Sequence, residues 1–157
     1  MPKPTFLHRL VQLVFPGNQQ PEAEFNNFDD DNLTDAESER QAQIVTLIKA
    51  KCTWAATILA SANSPDTHAE QKNQELERYQ KFRTTVFAHL GELTDEYYRA
   101  AGAHQIVRLL TAAGENDDAR RLLSEIHIEP IRTTATEEFA AGSQAALRRF
   151  EEILNET

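Results

Sequence analysis

Residues Thr34–Asp66 read "TDAESERQAQIVTLIKAKCTWAATILASANSPD", and this stretch decides the fold. Thr34, followed three residues later by Glu37, forms a capping box. In that motif the hydroxyl accepts from the Glu37 backbone and the carboxylate accepts from that of Thr34. Beyond it, Ile44, Leu47, Ile48, Cys52, Ala55, Ile58, Leu59 and Ala62 recur at three- and four-residue steps, the period of one helix face. Pro65 disfavours helical backbone at Ser64 and ends the run. Ser64 or Asp66 is placed to cap the next helix. A helix with one apolar face this long must bury it against other elements.

Those elements read as further helices. The second is expected from about Asp66 to Leu90. Its first half is strongly polar, and its second half carries Leu76, Tyr79, Phe82, Val86, Phe87 and Leu90. A break follows between Gly91 and Thr94. The third helix carries Tyr97, Tyr98, Ala101, Ile106, Leu109, Leu110 and Ala113 and ends at Gly114, a residue suited to a C-cap. The fourth, "DDARRLLSEI", turns Ala119, Leu122, Leu123 and Ile126 inward and stops before Pro130. The fifth is expected to begin at a second capping box, Thr134 with Glu137. Its stripe is Phe139, Ser143, Ala146, Leu147, Phe150, Ile153 and Leu154. No sustained alternation of period two and no Asn-Gly hairpin signal appears. The reading is an all-α protein with about five amphipathic helices in a bundle or helical-hairpin array.

Leu109–Pro130, "LLTAAGENDDARRLLSEIHIEP", resembles the middle of a tetratricopeptide unit. Gly114 sits at the tight turn, Ala119 lies five residues later, Leu123 and Ile126 take the inner face, and Pro130 falls near the unit's terminal proline. Val107 and Ala103 depart from the family's pattern, and no second copy occurs at its period. The resemblance implies a helical hairpin.

Upstream, "PTFLHRLVQLVFPG" (Pro4–Gly17) is a separate apolar cassette. On a helix, Phe6, Leu7, Leu10, Val11, Leu13, Val14 and Phe15 fill one arc of roughly 200°, and Thr5, His8, Arg9 and Gln12 fill the rest. Pro4 suits a first turn and Pro16-Gly17 a stop. An isolated helix of this length is marginal in water and needs an apolar surface: a groove of its own bundle, a partner's groove or a membrane interface. Residues 16–39 contain eight acids (Glu22, Glu24, Asp29, Asp30, Asp31, Asp35, Glu37, Glu39) and no base. The organisation is therefore an N-terminal amphipathic helix (1–17), an acidic flexible linker (18–33) and a helical bundle domain (34–157).

Residues 16–39 hold most of the excess behind the net charge of -9, and an acidic chain disfavours nucleic-acid binding. No stretch reads as long and apolar enough to span a bilayer. Contact of residues 4–16 with a membrane surface would have only Lys3 and Arg9, with or without His8, to meet lipid headgroups. Cys52, the one cysteine, allows no internal disulfide and fits a cytoplasmic setting. It lies on an apolar helix face and reads as a buried, inert thiol.

Other chemistry is sparse. The five histidines are scattered, with no Glu-x-x-His pairs for a metal. "DDDNLTD" (Asp29–Asp35) fails as a calcium loop, with Thr34 where glycine is needed and Arg40 where glutamate is needed. No glycine-rich phosphate loop is present, and no cofactor is expected. A pocket near Tyr97, Tyr98 and His104 is the one candidate for catalysis.

The expected function is a non-enzymatic interaction module of adaptor, chaperone-like or regulatory type. It would dock a protein partner through Phe6, Leu7, Leu10, Val11, Leu13, Val14 and Phe15, through a helical groove, or both. The alternative is an acidic inhibitor or immunity-type protein masking a basic site on a toxin or enzyme.

Overall fold

The computed structural model describes residues 33–156. The cassette and most of the acidic linker lie outside the described residues. Six helices and no strand occur among those described: α1 (Asp35–Ala62), α2 (Ala69–Gly91), α3 (Glu96–Ala112), α4 (Asn116–Leu123), α5 (Glu129–Ala141) and α6 (Ser143–Asn155). The all-α reading holds, with one helix more than expected.

α3 is the axis of the fold. Every residue from Ala100 to Ala112 is buried, and α3 packs against each of the other five helices. A helix buried all round presents no single apolar stripe. Four consecutive residues of α3, Ala100, Ala101, Gly102 and Ala103, are small. They let neighbours close in: a Cβ at Gly102 would stand 3.0 Å from Leu93 Cδ1 and 3.1 Å from Ile48 Cδ1. Asp95 caps the helix, its carboxylate accepting from the Tyr97 and Tyr98 N–H groups at 3.0 and 3.1 Å. Gln41 on α1 clamps the same corner. It donates to Thr94 Oγ1 at 2.8 Å and accepts from the Asp95 N–H at 3.0 Å.

The Thr34–Glu37 capping box is present in both directions. Of the α1 stripe, Ile44, Ile48, Cys52, Ala55, Ile58, Leu59 and Ala62 are buried, but Leu47 is 40% exposed. Val45 and Ala56 take inward positions instead. α1 is also long and apolar enough to cross a membrane by length and composition, with an 18-residue window of mean hydropathy 1.3. That corrects the expectation that no stretch passes this test. Its inner face is committed to the bundle core.

Other boundaries shift for local reasons. α2 begins at Ala69 rather than Asp66, because the residues before it are consumed by a turn. Thr67 Oγ1 donates to the Ser61 carbonyl at 2.6 Å, and the Asp66 N–H donates to Ser64 Oγ at 3.4 Å. His68 takes the N-cap position without a side-chain bond, so neither Ser64 nor Asp66 caps the helix. α4 ends at Leu123, and Ile126 is buried just beyond it. Pro130 opens α5 instead of ending α4, since the first helical turn needs no N–H from it. The second capping box is therefore absent. Thr134 lies inside α5 and donates to the Pro130 carbonyl at 3.1 Å. Gly142, at φ +92°, then divides α5 from α6, a conformation that a residue with a Cβ rarely adopts. Ser143 anchors the new helix by donating to the Ala112 carbonyl at 2.7 Å. Leu154, expected inside, is 51% exposed.

Candidate functional site

The seven cassette residues (Phe6, Leu7, Leu10, Val11, Leu13, Val14 and Phe15) lie outside the described residues. The described part offers two candidate regions of opposite character. One is the outer face of α1, and the other is a charged cluster between α3 and α5.

On α1, Gln43, Leu47, Ala50, Trp54, Thr57 and Ser61 are all exposed. Their spacing alternates four and three residues without exception. That is the 3.5-residue repeat of a helix-pairing seam, which a second helix can follow lengthwise. No member carries a charge. Trp54, the only tryptophan in the chain, is 61% exposed, and Leu47 lies two helical turns from it on the same face. Over its 18-residue rise the seam measures about 27 Å. A charged group flanks it at Lys51, which donates to His89 Nε2 at 2.8 Å. His89 Nδ1–H in turn donates to Glu92 at 2.9 Å. An ammonium has only donors, which fixes the His89 tautomer.

The second region is interior. Arg108 and His104, one turn apart on α3, are 3% and 0% exposed. Both reach Glu138 on α5. Arg108 grips the carboxylate with a two-point fork, Nε at 3.2 Å and Nη2 at 2.8 Å, and His104 Nε2 reaches it at 2.7 Å. Arg108 Nη1 also donates to Gln105 at 3.0 Å, and its guanidinium lies 5.8 Å from the centroid of the Phe150 ring. Burial pushes the pKa of His104 down, against the opposing effect of its hydrogen bond to Glu138, so the imidazole is neutral and donates. Burial alone would raise Glu138. The hydrogen bonds donated by His104 and Arg108, with the positive charge of Arg108, outweigh it and hold the carboxyl at about 2. A cleft of about 400 Å³ adjoins this cluster, lined by Arg108, Glu138, Ala145, Arg148, Arg149 and Glu152. Arg149 pairs with Glu152 at 3.2 Å and Glu156 at 3.8 Å. Lys49 has its pKa lowered, first by burial and then by Arg108 and Arg149. The guanidinium groups of Arg108 and Arg149 are thus engaged by carboxylates of the same fold; the Arg108–Glu138 pair ties α3 to α5, and the Arg149 pairs stay within α6 and its C-terminal end.

A comparable clasp joins α2 to the start of α4. Tyr79 donates its hydroxyl to Glu115, while Arg83 bonds Glu115 at 3.0 Å and Asp118 at 2.8 Å. Burial, then the Glu115 hydrogen bond, pushes the Tyr79 pKa up.

The catalytic candidates do not gather round an opening. Tyr97, Tyr98 and His104 are 6%, 1% and 0% exposed. The two tyrosine rings pack edge to face, 6.4 Å apart, and His104 is turned to Glu138. Cys52 is fully buried, and burial pushes its thiol pKa far up, so it is no ready nucleophile. Among the described residues no three His, Cys, Asp or Glu side chains come together to hold a metal. The α1 seam escaped sequence reading because Leu47 was assigned to the inner stripe. The usable signal was Trp54, which falls off that stripe. No protein-family model, curated protein or solved structure matches this chain. The helical hairpin implied by the tetratricopeptide resemblance is present as α3 and α4, but Pro130 begins the next helix rather than closing the unit.

Proposed function

We propose that this chain is a non-enzymatic protein-interaction module that docks a helical segment of a protein partner on the outer seam of α1. One observation carries the reading: Trp54 and Leu47 stand exposed at alternate steps of an uncharged 3.5-residue repeat. Large exposed apolar side chains in a contiguous row mark interaction surfaces, and tryptophan is the residue most enriched at the energetic centres of such contacts. The polar interior supports the same reading. Its buried cations are satisfied within the fold, and its one thiol is inert.

The test is capture by the tagged full chain, compared with a Leu47→Gln/Trp54→Gln double variant, at low and at roughly tenfold higher salt. A specific partner is expected on the wild type at both salt levels and absent from the variant. Apolar docking is little screened, whereas charge-led docking weakens with ionic strength. Equal capture by both proteins would refute the seam. Capture lost on raising salt would favour the acidic-inhibitor alternative.

A further inference from the structure

We infer that the occupant of the α1 seam is a second copy of this chain, whose own α1 lies antiparallel on the first about a two-fold axis at the level of Cys52. The inference rests on the seam being the docking face and names the partner for it.

The first observation is self-complementarity. A two-fold contact must satisfy itself: whatever one residue faces on the second copy must face that residue in return. The seam runs Gln43, Leu47, Ala50, Trp54, Thr57, Ser61, and its steps of 4, 3, 4, 3 and 4 read the same in both directions. Turned end for end, it meets its own copy in register. Gln43 faces Ser61, Leu47 faces Thr57 and Ala50 faces Trp54, each pair occurring on both sides of the axis. The largest side chain of the seam is thus set over the smallest, and Leu47 of the second copy closes the same hole from the next step. A slide of one heptad would set Trp54 against Gln43 or Thr57, which leave less room for an indole. A parallel pair would set Trp54 against Trp54.

The second is charge. No exposed residue of α1 from Gln43 to Ser61 is charged, so neither copy drives a charge into the other. Three residues before Gln43 the same row carries Arg40, which is also exposed. In the antiparallel pair Arg40 lies against residues 62–66 of the second copy, where α1 ends and Asp66 follows. The last turn of α1 holds no basic residue of its own. The C-terminal end of a helix carries a partial negative charge that a cation stabilises, and the arginine of each copy supplies one to the other. Along the seam's edges, Thr46, Thr53 and Ala60 fall on one flank. On the other the two Lys51 side chains approach each other, each bonded to His89 of its own copy with Glu92 behind it.

The third is size. The seam offers a strip about 27 Å long and about 10 Å wide. That is well under the roughly 800 Å² per partner of a standard stable interface. The pair is therefore a reversible dimer, formed by mass action and dissociated on dilution.

The experiment is sedimentation equilibrium of the full chain from about 10 μM to about 1 mM, with Trp54 emission read over the same range. The expected mass rises from one chain towards two, and Trp54, the sole tryptophan, shifts its emission to the blue in step. Leu47→Glu and Thr57→Lys each place an unpaired charge in the contact and should weaken the dimer at least about tenfold. Helical circular dichroism should be retained, because both sites are exposed. The double variant Leu47→Glu/Thr57→Lys should dimerise again, since the register sets each new carboxylate against the new ammonium of the other copy. The two sites are about 15 Å apart along one helix, so they do not neutralise each other within a chain. A chain that stays monomeric to about 1 mM would overturn the inference. So would single variants that associate like wild type, or a double variant as weak as the singles, which would deny the antiparallel register. Protection of Trp54 that is constant with concentration in a monomer would give the seam to another occupant and overturn it too. A monomer that still captures another protein through Leu47 and Trp54 refutes the dimer alone, whereas a Leu47→Gln/Trp54→Gln variant that captures as well as wild type refutes the docking face.

Discussion

At the centre of the bundle, Arg108 and His104 are held out of water against Glu138. On the outside of α1, Trp54 and Leu47 stand in it. Each region places side chains where transfer free energy opposes them, and they differ in how that cost is met. The interior charges are compensated within the fold: the Glu138 carboxylate and Gln105 accept from the guanidinium, and the neutral imidazole of His104 adds a further hydrogen bond to the carboxylate. The exposed Leu47 and Trp54 on the exterior have no such compensation among the described residues. A buried charge with all its partners present is a structural device. The exposed tryptophan is, on the function proposed above, where a protein partner would supply the missing cover. The same difference predicts how each region responds to substitution.

The largest effect should come from breaking the interior pair on one side. Glu138→Leu leaves Arg108 buried without its carboxylate, and such an orphaned charge costs about 3–5 kcal/mol. Denaturant unfolding should show it as a lower midpoint with an unchanged slope. The double change Arg108→Leu/Glu138→Leu should recover much of the loss, since a well-packed apolar pair replaces a buried ion pair at little cost. If the double variant is as unstable as the single, the cluster's role is not charge compensation.

The next effect is acid sensitivity. The folded-state pKa of Glu138 is depressed from 4.5 to about 2. Its contribution is therefore complete above pH 4.5 and disappears as pH falls towards 2, a loss of about 3 kcal/mol. His104 is also depressed below its ordinary 6.5. The unfolded chain takes up its proton first, so stability starts to fall below about pH 6.5. Unfolding free energy measured from pH 7 to pH 3 should decline in those two stages. His104→Gln should remove the upper stage and keep the lower. A wild-type profile flat between pH 6.5 and 5 would contradict a buried neutral imidazole.

How much of this was legible in sequence follows the same division. Helix α1 was readable because its capping box and its Pro65 stop are local, and the all-α class followed. The start of α5 was not, because the pattern Thr134-Glu137 imitates a helix start and only the three-dimensional course reveals Pro130 in the first turn. The central place of α3 was hidden for a different reason. A helix buried on all sides shows no amphipathic stripe, and it carries His104, Gln105 and Arg108, residue types that sequence reading assigns to the surface. Their partner Glu138 lies 30 residues or more away, so nothing local announces the cluster. The α1 seam was partly visible. Leu47 fits an inner stripe as well as an outer one, and Val45 competes with it for the same inner place.

An intermediate effect is expected where the two regions meet. Gly102 sits where α3 is approached by Ile48 of α1 and by Leu93. Gly102→Val would force these side chains outward from 3.0–3.1 Å contacts and should cost about 1–3 kcal/mol by overpacking. Gly102→Ala should cost less, since the nearest atoms are the ends of flexible side chains. Thermal melts of both would grade the tightness of the α1–α3 contact. A neutral Gly102→Val would show that α1 can move away from α3 without loss.

The smallest effect tests the other side of the comparison. Trp54→Gln changes a side chain that is 61% exposed and belongs to no core contact. Substitutions of this kind stay within about ±0.5 kcal/mol. The bundle's own stability, read as the midpoint of denaturant unfolding, should hardly move. A large loss from Trp54→Gln would mean that the outer face of α1 is part of what holds the bundle together, and the division between compensated interior and exposed exterior would fail.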